Sequence, residues 1–288
     1  MQSDTELQRR LAADIRIQAL RSMQSFGAGH VGGSMSMADI LAVLYGGLLR
    51  FKSEDPNWEE RDRLVVSKGH SGPALYAALA LSGFFPTEWL QTLNQGGTRL
   101  PSHCDRNKTP GVDASTGSLG QGVSIACGFA QAFALQGKEN LTYAIVGDGE
   151  LQEGQVWECV QYAVHRGLGR FVMLVDNNKK QLDGTLEAVC KPMNLAEKFR
   201  SFGCEVFEVN GHNVKEMSAL IEFIRATRSN SEKPVAVILH TVKGCGCSFA
   251  EAVEANHHLP VSQKDTDAAV AEIERRFAAG LLPGGERA

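Results

Sequence analysis

The chain has 288 residues, enough to bury a substantial hydrophobic core, and its 43% hydrophobic and 22% charged residues are typical of a globular protein. A net charge of −4 and a pI near 6.1 argue against a nucleic-acid-binding surface. No apolar stretch reaches the roughly 18 residues of a membrane span, and the amino terminus has no signal-peptide pattern. We therefore expect a cytoplasmic protein without a membrane segment.

Short apolar runs alternate with helix-type patterns along the chain, as in α/β proteins. In chain order we predict a helix over 4–25, a glycine-rich turn at 30–34, a helix over 37–49, a strand at 61–66, a helix beginning near Pro73, a helix over 123–136, a strand at 141–146, a helix over 152–166, a strand at 171–175, a helix at 192–202, a strand at 204–209, a helix over 213–228, a strand at 234–239 and a helix over 265–279. No repeat or low-complexity linker interrupts this order. We predict a single α/β domain over residues 1–288, with a parallel central sheet and helices on both faces.

The seven cysteines disfavour both a disulfide framework and a zinc site. They are scattered through predicted strands and helices without a Cys-x-x-Cys pair, which indicates reduced thiols. Cys245 and Cys247 are separated by one residue, a poor spacing for zinc.

Polar residues follow two predicted strands at the point where each strand ends. Gly147-Asp148-Gly149 comes after strand 141–146, and Asn177-Asn178 follows strand 171–175. If these strands are neighbours in a parallel sheet, their ends lie about 5 Å apart, and the oxygen-bearing side chains can converge on one cation. A magnesium-like cation holding a diphosphate would suit this place. A bare Gly-Asp-Gly is, however, also compatible with an ordinary turn of a β-α-β unit.

Several loops carry a histidine beside glycines. These are His30-Val31-Gly32-Gly33, Lys68-Gly69-His70 and Ser102-His103, and a glycine-rich string from Thr116 to Gly122 opens the predicted helix 123–136. Glycines at such junctions let backbone N–H groups approach a ligand closely. Each histidine alone is more often a solvated or capping residue. Their joint placement beside glycines is what indicates a site.

These motifs together resemble a known family. Gly147-Asp148-Gly149 and Asn177-Asn178, with 27 residues between them (150–176), resemble the thiamine diphosphate motif, and the string from Thr116 to Gly122 is similar to that of transketolases. Over residues 10–260 the chain resembles the amino-terminal, diphosphate-binding half of transketolase. The matching segments are 30–33, 37–39, 67–70, 102–103, 116–122, 146–154, 176–184, 210–212 and 241–244. The resemblance implies a thiamine diphosphate-binding fold.

The resemblance assigns roles to individual residues. It implies Mg²⁺ ligands in the side chains of Asp148 and Asn178 and in the backbone oxygen of Lys180. The other implied contacts are Gly33, His70 and Gly149 to the cofactor, mainly its diphosphate, Lys68 and Lys243 as secondary diphosphate contacts, Gly117, Ser118 and Leu119 to the aminopyrimidine, and the catalytic His30 and His103 to the ketose.

Two further assignments leave alternatives open. Family members carry a histidine that reaches the diphosphate and thiazolium region, and counting from Lys243 favours His257, with His258 as the competitor. We predict His257 to be catalytic and cofactor-binding. Glu153 and Glu158 either form an exposed helix face or, as the resemblance implies, lie at a subunit interface beside the cofactor sites.

The resemblance implies the amino-terminal subunit of a split transketolase, which transfers a two-carbon ketol unit from a ketose phosphate to an aldose phosphate. The glutamate that protonates N1′ of the aminopyrimidine has no candidate in this chain. We therefore expect a carboxy-terminal, pyrimidine-binding partner subunit, self-association into an α₂β₂ assembly, and no activity without the partner.

Two other functions remain open at this point. A 2-oxo acid dehydrogenase α chain or a deoxyxylulose phosphate synthase shares the Gly-Asp-Gly and Asn core. A non-catalytic, cofactor-binding subunit belongs to a different functional class. The string from Thr116 to Gly122, with His30, His70 and His103, favours transketolase over the first alternative, and the intact metal ligands disfavour the second.

Overall fold

The computed structural model describes residues 4–229 and 231–281, so the predicted domain limits at 1 and 288 lie outside the described residues. The strands are β1 Ala28–Gly29, β2 Arg63–Val66, β3 Thr142–Gly147, β4 Phe171–Asn177, β5 Lys180–Gln181, β6 Gly184–Thr185, β7 Glu205–Asn210, β8 Val235–His240 and β9 Leu259–Pro260. The α-helices are α1 Thr5–Phe26, α2 Val31–Ser36, α3 Ala38–Val43, α4 Gly72–Leu81, α5 Gln121–Leu135, α6 Gly154–His165, α7 Leu186–Val189, α8 Leu195–Phe202, α9 Val214–Thr227, α10 Ser248–Glu251 and α11 Gln263–Ala278.

Five strands form a parallel central sheet in the order β2-β3-β4-β8-β7, which confirms the predicted fold class. The middle strand β4 is buried along its whole length, as its continuous apolar run predicts. Gly147 pairs with Asp176 in the register of β3 and β4. The two polar motifs that follow these strands therefore meet at one edge of the sheet.

Helices cover both faces of this sheet. On one face α1, α3, α4, α9 and α11 contribute to the larger apolar core. On the other face α5, α6 and α8 contribute to the second core, which contains the inward side chains Val146, Met173 and Ile238. The result is a three-layer arrangement in which the loops at the carboxyl ends of the strands remain available for a ligand.

The predicted turn at 30–34 is wrong, because Val31–Ser36 forms helix α2. Two glycines in a helix of six residues are unfavourable by about 1 kcal/mol each relative to alanine. Tertiary contacts outweigh that cost. A Cβ on Gly32 would lie 2.4 Å from the carbonyl oxygen of Asn256, and one on Gly33 would lie 2.6 Å from Ser71 Oγ. The glycines therefore serve close packing of a buried helix.

The predicted helix over 37–49 is divided. Helix α3 ends at Val43, and a π-helical turn continues over Leu44–Leu48, where Gly47 has a φ of 130° that favours glycine. The other predicted elements are present with shifted ends. Asn194 and Ser262 cap α8 and α11 through their side chains, which places those helix starts at Leu195 and Gln263.

The cysteines agree with the expectation from their spacing, since all seven are free thiols. Within residues 4–229 and 231–281, no helix combines the length and apolar character needed to cross a membrane.

Candidate active site

A cleft opens where the carboxyl ends of β2, β3 and β4 meet the loops that follow α1 and β8. Every predicted cofactor, metal and catalytic residue lines it except Ser118, which lies on the neighbouring turn. The predicted residues in its wall are His30, Gly33, Lys68, His70, His103, Gly117, Leu119, Asp148, Gly149, Glu153, Asn178, Lys180, Lys243 and His257. The tertiary structure thus brings together segments that span most of the sequence.

Asp148 lies just beyond the end of β3 with a side chain that is only 2% exposed. Its carboxylate accepts hydrogen bonds from the backbone N–H groups of Gly149, at 2.8 Å, and Lys179. Burial, together with the nearby charge of Asp176, raises the pKa of Asp148 to about 7. Within the described residues no cationic side chain forms a salt bridge with this carboxylate, so a bound cation would relieve its unfavourable burial.

Asn178 and Lys180 line the same cleft as Asp148. Asn178 donates from Nδ2 to Asp176 Oδ2 at 3.0 Å, and its Oδ1 accepts the Lys180 N–H at 3.2 Å. The Lys180 carbonyl accepts a hydrogen bond from Lys243 Nζ at 3.2 Å. A carboxylate, an amide oxygen and a peptide carbonyl are hard oxygen donors that suit Mg²⁺. No group of three or more His, Cys, Asp or Glu side chains in the described part of the chain has a metal-binding arrangement.

Sequence reasoning missed Asp176, which is fully buried at the end of β4. It accepts hydrogen bonds from Lys68 Nζ, Ser36 Oγ, Asn178 Nδ2 and Thr241 Oγ1. Burial by itself would raise the pKa of Asp176, but the Lys68 charge and these bonds hold it below its usual value. A charged residue inside an apolar strand, two positions before Asn178, was the available signal.

The two lysines of the cleft differ in their partners. Lys68 is buried and its ammonium is held by Asp176 and, at 2.8 Å, by the Gly33 carbonyl. Lys243 donates to the carbonyls of Lys180 and Gln181 and lies 3.4 Å from His257 Nδ1. Burial and then the Lys68 charge lower the pKa of Lys243 to about 8. Lys243, whose ammonium is not held by a carboxylate in the described part of the chain, is therefore the better placed to meet an anion.

Five histidines from four loops form a cluster centred on His30. The ring centroid of His30 lies 5.4 Å from that of His70, 5.6 Å from His103, 5.2 Å from His257 and 4.8 Å from His258. His257 also lies 4.6 Å from His70 and lines the cleft, whereas His258 does not line it. The geometry favours His257 as the residue that faces a bound ligand.

Burial and nearby basic groups lower the pKa values of four of these imidazoles, those of His30, His70, His103 and His257, and so favour their neutral form. Burial and the neighbouring His257 lower the pKa of His30 to about 3, and burial with Lys243 lowers the pKa of His257 to about 4. The pKa values of His70 and His103 are also lowered, chiefly by burial. Neutral imidazoles both donate and accept protons, so the cluster can serve hydroxyl groups and phosphoryl oxygens.

The glycine-rich string packs directly on the loop that bears His70. A Cβ on Gly69 would lie 2.5 Å from the carbonyl of Thr116, and one on Gly122 would lie 2.6 Å from Ser67 Cα. Gly117 approaches the ring of His103, where a Cβ would lie 2.9 Å from Cδ2. These contacts require glycine, and they bring backbone groups of the string to the cleft wall.

Glu150 is a second residue that sequence reasoning missed. It lines the cleft with a side chain only 2% exposed. Its carboxylate accepts hydrogen bonds from Ser67 Oγ, from Gly120 N–H at 2.8 Å and from Gly147 N–H at 3.1 Å, and burial raises its pKa. The two predicted interface residues, Glu153 and Glu158, are exposed in this chain, and Glu153 alone lines the cleft. The choice between an exposed face and an interface is not decided by these positions.

The sequence is similar to a known protein family and to several of its members. Residues 7–277 match the family model described as transketolase, thiamine diphosphate binding domain. The chain is 46% identical over 264 residues to the 6-deoxy-6-sulfo-D-fructose transketolase subunit SqwG of Clostridium sp. (strain MSTE9), covering 92% of this chain and 95% of that protein. It is 34% identical to an apulose-4-phosphate transketolase subunit of Phocaeicola vulgatus, covering 87% of this chain and 88% of that protein.

The fold is also similar to part of a solved transketolase structure. Transketolase from Leishmania mexicana superimposes with a TM-score of 0.85 and 31% identity, covering 97% of this chain and 42% of that one. The fold and the sequence therefore agree, and the chain belongs to the transketolase family, matching its thiamine diphosphate-binding domain.

Proposed function

We propose that this chain is the amino-terminal subunit of a split transketolase, which transfers a two-carbon ketol unit from a ketose or its phosphate to an aldose or its phosphate. The observation that carries the proposal is the convergence of two sets of residues in one cleft. Asp148, Asn178 and Lys180 line the cleft together with His30, His70, His103 and His257, and Lys243 contacts both the Lys180 carbonyl and His257.

The residues present fit the cofactor that the family binds. Asp148, Asn178 and the Lys180 carbonyl would hold Mg²⁺, and His70, Lys243 and Gly149 would meet the diphosphate. Gly33 leaves space beside Ser71, Lys68 and His70 that any Cβ would fill, and Ser71 Oγ is buried without a hydrogen-bond partner among the described residues. When bound, thiamine diphosphate would supply the nucleophilic carbon and the electron sink that carbon–carbon bond cleavage needs.

The histidines that do not meet the diphosphate would act on the sugar. His30 and His103 line the cleft as neutral imidazoles, so each can donate a hydrogen bond to a sugar oxygen or take up a proton from a hydroxyl group. His257, between His70 and Lys243, would contact the cofactor near the reacting atoms. Gly117, Ser118 and Leu119 would contact the aminopyrimidine through the backbone.

The relatives support a partner subunit. Two of them are named as transketolase subunits and are matched over 95% and 88% of their lengths, whereas the chain spans 40% of the Bacillus subtilis transketolase and 42% of that from Leishmania mexicana. We propose that a second subunit carries the pyrimidine-binding domain and the glutamate for N1′. Ile125, Leu135 and Tyr162, exposed on α5 and α6, support self-association into an α₂β₂ assembly. A cytoplasmic location and a single-domain organisation stay predictions of the sequence.

The test is reconstitution with the partner subunit, followed by an activity assay with Mg²⁺ and thiamine diphosphate. The relatives' names suggest a substrate panel that includes 6-deoxy-6-sulfo-D-fructose and apulose 4-phosphate beside common ketose phosphates. We expect turnover of a ketose by the mixture and none by this chain alone. Robust turnover by the isolated chain contradicts the split-enzyme proposal. Cofactor binding without turnover of any ketose would favour a non-catalytic subunit, and turnover of pyruvate alone would favour a different thiamine enzyme.

A further inference from the structure

Glu150 joins three segments that are far apart in the sequence. One carboxylate oxygen accepts hydrogen bonds from Ser67 Oγ and Gly120 N–H, and the other accepts the Gly147 N–H. Ser67 follows β2 and precedes the loop of His70, Gly120 precedes helix α5, and Gly147 ends β3. A buried carboxylate is unfavourable unless it is hydrogen-bonded, and these three donors satisfy it.

The bond to Gly120 holds a turn that lacks a side-chain cap of its own. Gly120 is the N-cap residue of α5, adopts a left-handed φ of 83°, and has no side chain that could cap the helix. Glu150 supplies the acceptor at this helix start, where negative charge is also favoured by the helix dipole. The turn immediately precedes α5 and follows Gly117, Ser118 and Leu119.

We propose that Glu150 is a positioning residue that fixes the spacing between the two ends of the cofactor site. The inference rests on the proposed function, which assigns Gly117–Leu119 to the aminopyrimidine and the Asp148 loop to the metal and diphosphate. One carboxylate holds both loops at once, through Gly120 and Gly147. A ligand that spans the site depends on this spacing, whereas a ligand that occupies only the diphosphate end does not.

Glu150→Gln tests this role with little change in volume. The amide oxygen can replace the carboxylate oxygen that serves Ser67 and Gly120, but the amide NH₂ then faces the Gly147 N–H, so two donors oppose each other. The connection between the two loops is cut while the glycine-rich turn is kept. Ser67→Ala, which removes one donor and leaves the carboxylate in place, should act in the same direction with a smaller effect.

The measurement is calorimetric titration of the complex with the partner subunit, at saturating Mg²⁺, with thiamine diphosphate and with inorganic pyrophosphate. We expect Glu150→Gln to weaken thiamine diphosphate binding by at least about tenfold, while pyrophosphate binding changes by less than about twofold. An unchanged thiamine diphosphate affinity overturns the proposal, and so does an equal loss for both ligands.

Asp62→Asn is the matched control. Asp62 is a buried carboxylate with the same pattern of partners, two backbone N–H groups (Arg50 at 3.0 Å and Leu141 at 2.9 Å) and one side-chain donor, Arg225, but it does not line the cleft. Its variant should lose stability without changing the ratio of the two affinities. The same selective loss in Asp62→Asn would overturn the role of Glu150. Failure of the proposed function would appear earlier, because the wild-type complex would not bind thiamine diphosphate.

Discussion

Two buried carboxylates, Asp113 at the amino end of the central sheet and Asp148 at its carboxyl end, differ in their partners. At the amino end, Asp113 accepts hydrogen bonds from Arg61, Arg63 and the Leu64 N–H, so its charge is met by two guanidinium groups. At the carboxyl end, Asp148 is as deeply buried, but its partners within the described residues are backbone N–H groups. Its pKa rises to about 7 because neither burial nor the Asp176 charge is compensated.

This difference suggests that the two carboxylates serve different purposes, one in the stability of the fold and the other in ligand binding. Removing one partner of a buried ion pair is strongly destabilising, because it leaves the other charge buried without compensation. A charge that is buried without a counter-ion costs stability and is kept where a ligand completes it. The following variants test whether Asp113 serves mainly stability and whether the residues of the cleft serve mainly ligand binding.

Asp113→Asn should have the largest effect on stability. It leaves the Arg61 guanidinium, which is 5% exposed, without its carboxylate partner. We expect a loss of about 3–5 kcal/mol in the free energy of unfolding, measured by urea denaturation. Lys138→Met, which removes the exposed pair with Glu59, is the control and should leave the free energy of unfolding close to that of wild type. Cofactor affinity of the folded variant should match that of wild type, and a large loss would break the comparison.

Asp148→Ala should have the opposite effects, a large loss of cofactor affinity with little change in stability. Because Asp148 is the only charged group in the proposed metal shell, we expect Mg²⁺-dependent thiamine diphosphate affinity to fall by about 100-fold or more, which corresponds to roughly 2.7 kcal/mol. In the chain without cofactor the unfolding free energy should stay near wild type, since the variant removes an uncompensated buried carboxylate. Asp148→Asn keeps the volume and controls for packing. Unchanged affinity by calorimetry, with the partner present, would contradict the metal assignment.

His103→Ala tests whether the cleft has separate regions for the cofactor and for the substrate. His103 packs against Gly117, and its ring centroid lies 5.6 Å from that of His30. We expect kcat/KM for the ketose to fall by about tenfold or more, with cofactor affinity near wild type. His70→Ala is the contrasting variant and should weaken cofactor binding first. An equal loss of cofactor affinity in His103→Ala would place His103 with the diphosphate residues.

The histidine cluster should make the cofactor-free chain sensitive to acid. The pKa of His30 is about 3 in the folded state, below its ordinary value near 6.5, so between these pH values the unfolded chain binds more protons. Stability is therefore lost as the pH falls below about 6.5. In His30→Gln the free energy of unfolding should decrease less as the pH falls. One fully coupled proton would account for ~1.4 kcal/mol per pH unit. The difference from wild type should be smaller than this, because His30 is partly exposed. Urea denaturation between pH 7 and pH 4 measures the effect, with His165→Gln on α6 as the matched control. If the free energy of unfolding of His30→Gln depended on pH as that of wild type does, the prediction would be wrong.

The positions of the strands and of the site loops could be predicted because each depends on local pattern. The runs that became β3 and β4 are apolar and β-branched, and such runs are stable only where both faces are buried. Once the strands are parallel neighbours, Asp148 and Asn178 must lie at one edge, whatever the rest of the chain does. The convergence of Asp148 and Asn178 was predicted for this reason, whereas the roles of Lys180 and of the loop histidines came from the resemblance to transketolase.

Other features depended on contacts between distant segments. Val31–Ser36 has the glycine content of a turn, and it is helical because Asn256 and Ser71 pack against the two glycines. Lys68 was predicted to meet a diphosphate, yet its ammonium is bound to Asp176, 108 residues away. Glu150 has the position of an ordinary acid at a helix start, and only the approach of Ser67 and Gly120 makes it a bridge.

The sequence by itself determined which loops carry histidine, glycine and carboxylate, and that the segments of His70, Asp148 and Asn178 follow buried strands. The preference for His257 over His258 gains support only from the tertiary structure, because the His257 ring lies 4.6 Å from that of His70 and its Nδ1 lies 3.4 Å from Lys243 Nζ. The tertiary structure also decided which buried carboxylates are paired and which are left open. The physical reason is the same in each case: a side chain's neighbours in sequence set its conformation, whereas its charge partners come from wherever the fold brings another segment within about 3 Å.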